Sequence, residues 1–479
     1  MSLGRERSPV MAKGKVAVGC GVSVSAQALV VGVLGGVLML LLVSCNQHTT
    51  RSLASTGTSH FVAPWGSDDA AGTFEEPFFS LGRVAQRAEP GDTILLRGGV
   101  YDVIGEHVYV SVRMSGSSGA PITIKSYPGE TAIFDGHRHP WHPRYFEDGR
   151  SNSNPNLLQF VGEHTVWGDI TFRNGVGRAF FVIGNDNVYR RIVSHDHHSD
   201  GIYLQGSRNL VENCDSFNNN SISNGGNSAD GLKVVDGGKI LIDNFGEEAE
   251  TRGNIIRGCR FWNNSDDGLD IWSALDTLIE YTMAWSNGYG DTGNGMGFKL
   301  GNNSMRHSGT IIRNSIGFDN AHNFTTNGAT GVTFLNNTSW KPRSSIGFDL
   351  RARSAPEDGS EGHNYAFNNI SYDAAAPAAI GAPTNPGPPP VHTHNSWNLG
   401  MDVPGFISLD PTHEAFLALR SDSPAIDAGT DVGLPYGGVR PDLGALEYGE
   451  ALASIIPQHT NATLTVAASL FSPLRSTTN

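Results

Sequence analysis

Along the middle of the chain, apolar and polar positions alternate in short runs, with no helical period. Val188-Tyr189-Arg190-Arg191-Ile192, Leu210-Val211-Glu212-Asn213-Cys214, Ile255-Ile256-Arg257-Gly258-Cys259, Leu278-Ile279-Glu280-Tyr281-Thr282 and Ile311-Ile312-Arg313-Asn314-Ser315 align residue for residue. Their starts are 22, 45, 23 and 33 residues apart, a unit of about 22 residues with insertions. Each copy ends in a polar turn, where Asn219, Asn264, Asn287 and Asn320 share one position. Asn side chains stacked on successive turns can hydrogen-bond to one another as a ladder. A second strand follows in each unit, built on Gly201, Gly231, Gly268, Gly297 and Gly347, with Asn323 a looser match. This pattern predicts an all-β solenoid, the parallel β-helix, with coils ~4.8 Å apart. Cys214 then falls over Cys259, two buried thiols or a disulfide.

The flanks carry other patterns. Ser80 can cap a short helix with Leu81, Val84, Ala85 and Ala88 on one face, a candidate N-terminal cap for the open solenoid core. Strand-like runs precede and follow it at Phe61-Val62-Ala63, 93–97, 108–113 and 121–126, and 137–145 reads as a loop. Residues 374–395, rich in Ala and Pro, read as a long loop. Residues 405–449 are expected to close the far end, and 450–479 show no pattern, as a disordered tail would.

Residues 1–44 read as an export signal: Arg5, Arg7, Lys13 and Lys15 precede an apolar run from Val16 to Val43. An uncleaved membrane anchor is the alternative. The run ends Leu42-Val43-Ser44-Cys45, which looks like a bacterial lipobox and makes Cys45 the lipidated first residue of a mature, exported lipoprotein. Residues 45–59 would be its tether, and 60–449 the β-helix domain.

Composition narrows the partners. The 479 residues include 59 glycines and 17% charged residues, as suits a tightly wound β-structure. A net charge of −14 argues against nucleic acid. It leaves an acidic substrate open where a bound cation supplies positive charge.

Aligned on their glycines, Ala229-Asp230-Gly231-Leu232-Lys233, Asp266-Asp267-Gly268-Leu269-Asp270 and Gly295-Met296-Gly297-Phe298-Lys299 stack Asp230 on Asp267, and Lys233 on Asp270 and Lys299. Asp230, Asp266, Asp267 and Asp270 would then crowd together, which requires protonation or a cation. Oxygen donors alone favour Ca²⁺ over zinc; a solvated acidic turn is the plain alternative. Lys299 lies on the next coil, where a divalent cation would lower its pKa and make it a base for a proton α to a carboxylate. A simple salt bridge to Asp270 is the competing role.

These three segments resemble family 9 polysaccharide lyases, a likeness spanning roughly residues 60–449. The resemblance implies a right-handed parallel β-helix and calcium held by Asp230, Asp266, Asp267 and Asp270, with Lys299 as base. It implies β-elimination of an acidic polysaccharide such as pectate; separately, the chain is expected to be a monomer. The insertion 236–253, with Glu247, Glu248 and Glu250, departs from that pattern and would reshape one side of the cleft. Lys233 and Arg351 could grip uronate carboxylates. His195, His197 and His198 could suggest a metal site, but His197 falls in the Asn column, where structural use is expected. Asp200 continues the Asp column upstream, with solvation its only apparent role. The rivals are a polygalacturonase-like hydrolase, whose His-Gly and Arg-Ile-Lys segments are absent from this sequence, and a non-catalytic glycan-binding lipoprotein.

Overall fold

Each repeat folds into three short strands, where the sequence pattern suggests two. In the coil that starts at Leu210, the strands Leu210–Glu212, Asp215–Phe217 and Leu232–Val235 lie on three different sheets. The run 210–214 reads as one strand because every residue in it suits a strand. Asn213, however, takes a left-handed backbone (φ 54°) and turns the chain there. The same corner recurs at Arg191, Gly258, Tyr281 and Asn314. Gly and Asn enter that region at little cost; Arg191 and Tyr281 are held there by the coils on either side.

The computed structural model describes residues 57–102, 110–137, 156–246, 250–302, 307–344, 346–353, 362–380 and 387–455. Within them the strands form parallel sheets of twelve, ten and ten members, wound as a right-handed β-helix. The expected register holds: Val188, Leu210, Ile255, Leu278 and Ile311 pair in sequence along the first sheet. Val211, Ile256, Ile279 and Ile312 point inward and are fully buried, each stabilising the coil by roughly 1.5–3 kcal/mol. Phe298, Phe324 and Phe348 stack inside the third sheet with ring centroids 5.0 and 4.6 Å apart. Cys214 and Cys259 are buried free thiols, the Cys214 N–H donating to Cys259 Sγ at 3.4 Å.

The asparagine ladder is present. Asn219, Asn264 and Asn287 each donate Nδ2–H to Oδ1 of the next member, at 2.8, 2.9 and 2.9 Å, and Asn320 donates on to Asn323 Oδ1 at 3.0 Å. The ladder explains the template glycines. A Cβ on Gly268 would come within 2.7 Å of the Gly297 carbonyl and 2.8 Å of Asn287 Nδ2. The backbone that carries the aspartates therefore packs directly against the ladder.

Ser80 caps helix α1 (Leu81–Ala85), its hydroxyl accepting the Arg83 N–H at 3.1 Å, and Leu81 and Val84 join the main core. The first strand, Ser59–Val62, begins inside the stretch expected as tether. Two other expectations change. Residues 374–395 contain the strands Ala376–Ala379 and Val391–Thr393, which continue two of the sheets. The segment after them does not close the far end. Phe416, Leu417 and Ala445 cover Trp262, Trp285 and Phe318 on the outside of the second sheet, and Asn368 Nδ2 donates to the Thr430 carbonyl at 2.8 Å. Trp397 is the residue that packs on the core beyond Phe348 at the far end, with ring centroids 5.3 Å apart.

Residues 1–56 and 456–479 lie outside the described residues, and with them the signal, Cys45, most of the tether and most of the tail. So does most of the 137–145 loop. No helix among the described residues is long and apolar enough to cross a membrane.

Candidate active site

The third sheet turns one column of side chains outward, and the chemistry lies on it. Lys233 pairs with Asp270, and Asp270 with Lys299, as the spacing predicts. Just before each strand, an aspartate accepts the backbone N–H of its counterpart one coil on. Asp200 Oδ1 takes the Asp230 N–H (3.2 Å), Asp230 Oδ1 the Asp267 N–H (2.9 Å) and Asp267 Oδ1 the Met296 N–H (2.7 Å). Each carboxylate thus has one oxygen fixed by backbone; Asp230 and Asp267 turn the other to the site, while Asp200 turns its own to Arg178.

Those second oxygens converge. Asp230, Asp267 and Asp270 are buried and bring carboxylate oxygens within 4.8 Å of one another. Lys233 Nζ bridges Asp230 and Asp270, 2.8 Å from each, and Lys299 Nζ bridges Asp267 at 2.9 Å and Asp270 at 3.2 Å. Asp270 Oδ1 is buried without a hydrogen-bond partner. Asp266 stands beside this trio, its two oxygens accepting the Ser228 N–H (2.8 Å) and the Asn294 N–H (2.6 Å). Asp200 is buried, not solvated as expected, and pairs with Arg178 Nε at 3.3 Å.

Five carboxylates thus face Lys233, Lys299 and Arg178, and the excess of negative charge has consequences. Burial, then the Asp230 charge, pushes the Asp266 and Asp200 carboxyls up to about 6. Burial raises Asp267 well above the usual carboxylate range even with Lys299 beside it. For Lys299, burial favours the neutral amine, but Asp267 and Asp270 outweigh it and raise its pKa. The fall expected for Lys299 beside a cation is therefore reversed when only the carboxylates act. An oxygen-only, buried, net-negative pocket with an orphaned acceptor suits a hard divalent cation.

Other candidates fall elsewhere. Lys233 is held by two aspartates, its side chain 17% exposed, instead of standing free for a substrate carboxylate. Arg351 follows Asp349, which lies two strands beyond Lys299 through Thr325, and its Nε and Nη2 bind Asp349 at 2.7 and 2.6 Å. His197 serves the ladder: its Nδ1 accepts the Gly175 N–H at 2.8 Å and its N–H donates to Asn219 Oδ1 at 3.2 Å. Burial holds its imidazole well below the usual range.

Trp272, passed over in the sequence, stands beside both lysines. Its ring centroid is 5.1 Å from Lys299 Nζ and 5.7 Å from Lys233 Nζ, and it is 39% exposed. The signal was the alternation in Asp270-Ile271-Trp272, which turns Trp272 to the same face as Asp270. The 236–253 insertion forms helix α2 (Gly238–Phe245), which packs Leu241 against Val161 and Ile183 on the outside of the third sheet. Glu247 and Glu248 lie outside the described residues, and Glu250 pairs with Arg252 at 3.3 Å.

Comparison with known proteins identifies the family and the fold. Residues 60–369 match the Pel9A-like, right handed beta helix region. The chain is 32% identical over 383 residues to pectate lyase PEL9 of Emericella nidulans, covering 73% of this chain and 86% of that one. It is 29% identical to pectate lyase L of Dickeya chrysanthemi, over 85% of this chain and 94% of that one. The crystal structure of pectate lyase Pel9A superposes with a TM-score of 0.68 at 28% identity, over 82% of this chain and 97% of that chain. The chain belongs to the Pel9A-like right-handed β-helix family and is a polysaccharide lyase.

Proposed function

We propose that this lyase is calcium-dependent and cleaves an acidic polysaccharide of the pectate class by β-elimination, leaving a 4,5-unsaturated uronate. The observation that carries the proposal is the seat of Lys299: its Nζ lies within 3.2 Å of two carboxylates of a buried oxygen-donor trio, one oxygen of which is unpartnered. Asp230, Asp267 and Asp270 would hold the ion, with Asp266 adding charge beside them. Bound calcium would supply positive charge for the substrate carboxylate and for the negative charge that develops next to it.

The chain's own groups do the rest. Lys299 must be neutral to accept a proton, and it approaches neutrality as Asp267 and Asp270 give their charge to a cation instead of to the ammonium. Its amine then takes the proton from the carbon α to the uronate carboxylate. The released electron pair forms the C4–C5 double bond as the C4–O bond breaks, and the departing oxygen is protonated by solvent. Trp272 shields the amine from bulk water on its open side. Arg351, its side chain one-third exposed beside Asp349, would meet a sugar carboxylate further along the same face. One chain supplies every residue of this site, so a monomer suffices.

The purified protein on polygalacturonate should give products that absorb in the ultraviolet, with calcium and not in excess chelator. New reducing ends without that absorbance would indicate hydrolysis, and neither would leave only glycan binding. We also propose that the mature chain is exported and lipid-anchored through Cys45. Mass spectrometry of the native protein would overturn this if the chain starts at another residue.

A further inference from the structure

One coil upstream of Asp200 the same face carries an arginine that the chemistry at Lys299 does not use. Continuing the register of Phe180 with Ile202 places Arg178 next to Asp200, in the column that leads to Asp230 and Asp267. Its guanidinium lies over the Tyr203 ring, 4.0 Å from the centroid, and 5.6 Å from that of Phe181. The two rings brace each other edge to face at 5.2 Å. A stacked guanidinium has its fork held in one plane, which suits a planar carboxylate.

Neutralising Asp200 does not by itself account for this geometry. Where the protein simply pairs a buried aspartate with an arginine, it does so two-pronged and closed: Arg260 meets Asp215 at 2.7 and 2.6 Å, with its side chain 12% exposed. Arg178 meets Asp200 by one 3.3 Å bond through Nε, and its side chain is 39% exposed. That bond does not engage its terminal nitrogens. Just beyond, α2 covers the face: Leu241, Ile240 and Phe245 pack with Val161, Ile183 and Phe181, and Arg113 Nη1 donates to Asn244 Oδ1 at 2.8 Å. The Arg178–Tyr203 shelf is thus the last open step before a wall.

We infer that Arg178 is a carboxylate-binding subsite for a uronate residue upstream of the cleaved bond, and that α2 makes it the terminal subsite on that side. The inference rests on the lyase activity proposed above. Arg178 lies two strand spacings above Asp230, about 10 Å, comparable to the advance of two or three sugar units in an extended uronan. A uronate polymer lying along the column would present carboxylates to both the aspartate cluster and the shelf.

The test is the chain-length dependence of kcat/KM on tri- to hexagalacturonate for wild type, Arg178→Ala and Arg178→Lys. Arg178→Lys keeps a charge beside Asp200, so it serves if the alanine variant folds poorly, but it lacks the planar fork. The expected result is a loss of about tenfold on the hexamer, carried by KM, and a clearly smaller loss on the trimer, which reaches the shelf poorly. The calcium concentration for half-activation should be the same for all three proteins. Equal losses at every length in both variants would reduce Arg178 to a structural partner of Asp200 and overturn the inference. A wild type inactive on every uronate would instead refute the lyase substrate proposed, a separate outcome visible before any variant is made.

Discussion

Asp270 presents one carboxylate oxygen to Lys299 at 3.2 Å and leaves the other buried with no partner. A carboxylate that only neutralised a lysine would be expected to satisfy both oxygens in so dry a place. Lys299→Arg separates the two roles of the lysine. Arginine keeps the charge and the ion pairs but does not lose its proton. Turnover should fall by roughly 10²–10⁴-fold, while calorimetric calcium binding stays close to wild type. Only the neutral amine accepts a proton, so wild-type kcat should climb as pH rises and Lys299 loses its charge. An arginine variant that retained most of its kcat would rule out Lys299 as the base.

Calcium should stabilise as well as activate. Without a bound cation the aspartate excess is uncompensated, yet the ladder and the stacked Phe298, Phe324 and Phe348 form from groups away from the aspartates. Chelation should therefore lower the melting temperature and abolish activity reversibly, with the β-sheet circular dichroism spectrum retained at room temperature. Calcium at a hundred times its Kd would restore about 2.7 kcal/mol. Asp270→Asn should remove most of that calcium-dependent increment. An unchanged increment in the variant would exclude Asp270 as a ligand.

Much of this was legible from spacing alone. The offset of 37 residues that sets Lys233 on Asp270, and that of 29 that sets Asp270 on Lys299, are the pairings observed, because one residue of slip would flip a whole strand face. What local sequence does not encode depends on single backbone angles or on distant chain. Nothing in Leu210-Val211-Glu212-Asn213-Cys214 marks Asn213 as a left-handed corner without knowing the three-sided cross-section. The segment covering Trp262 and Trp285 is more than a hundred residues away in sequence, so no local pattern links Phe416 to them. Asp200 looked solvated because Arg178 and Asp230, its partners, lie 22 and 30 residues away.

That covering segment carries a pH-sensitive group. Burial, then the nearby Asp442, pushes the Glu447 carboxyl up to about 7. Its folded pKa lies above the ordinary value, so its contribution to stability is complete below pH 4.5 and is lost as pH rises through about 7. Glu447→Gln mimics the protonated form and should match wild type below pH 4.5. Above pH 8 it should be the more stable, by on the order of 1 kcal/mol once solvent screening of the partly buried Glu447 is discounted. Parallel melting temperatures for the two proteins across that range would show that Glu447 is ionised at no cost.

The most revealing single substitution is Gly268→Ala, because it tests the link between ladder and site. The added methyl would sit 2.7 Å from the Gly297 carbonyl, 2.8 Å from Asn287 Nδ2 and 3.1 Å from the Ala284 Cβ. Two of these neighbours are backbone or core, so the strand start itself must shift. Asp267 is the residue before, with its carboxylate on the Met296 N–H and on Lys299, and its carbonyl accepting the Gly231 N–H at 3.0 Å. A shift of a few tenths of an ångström there disturbs the trio and the base together. Stability should fall by about 1–3 kcal/mol, as for other overpacked sites, and calcium affinity should fall with it. Gly238→Ala is the control, since a Cβ there meets nothing within 4 Å, although its φ of 45° carries a backbone cost of its own. If Gly268→Ala lost stability but bound calcium and turned over substrate like wild type, the ladder would be scaffolding only, and the geometry of the aspartate column would owe nothing to it.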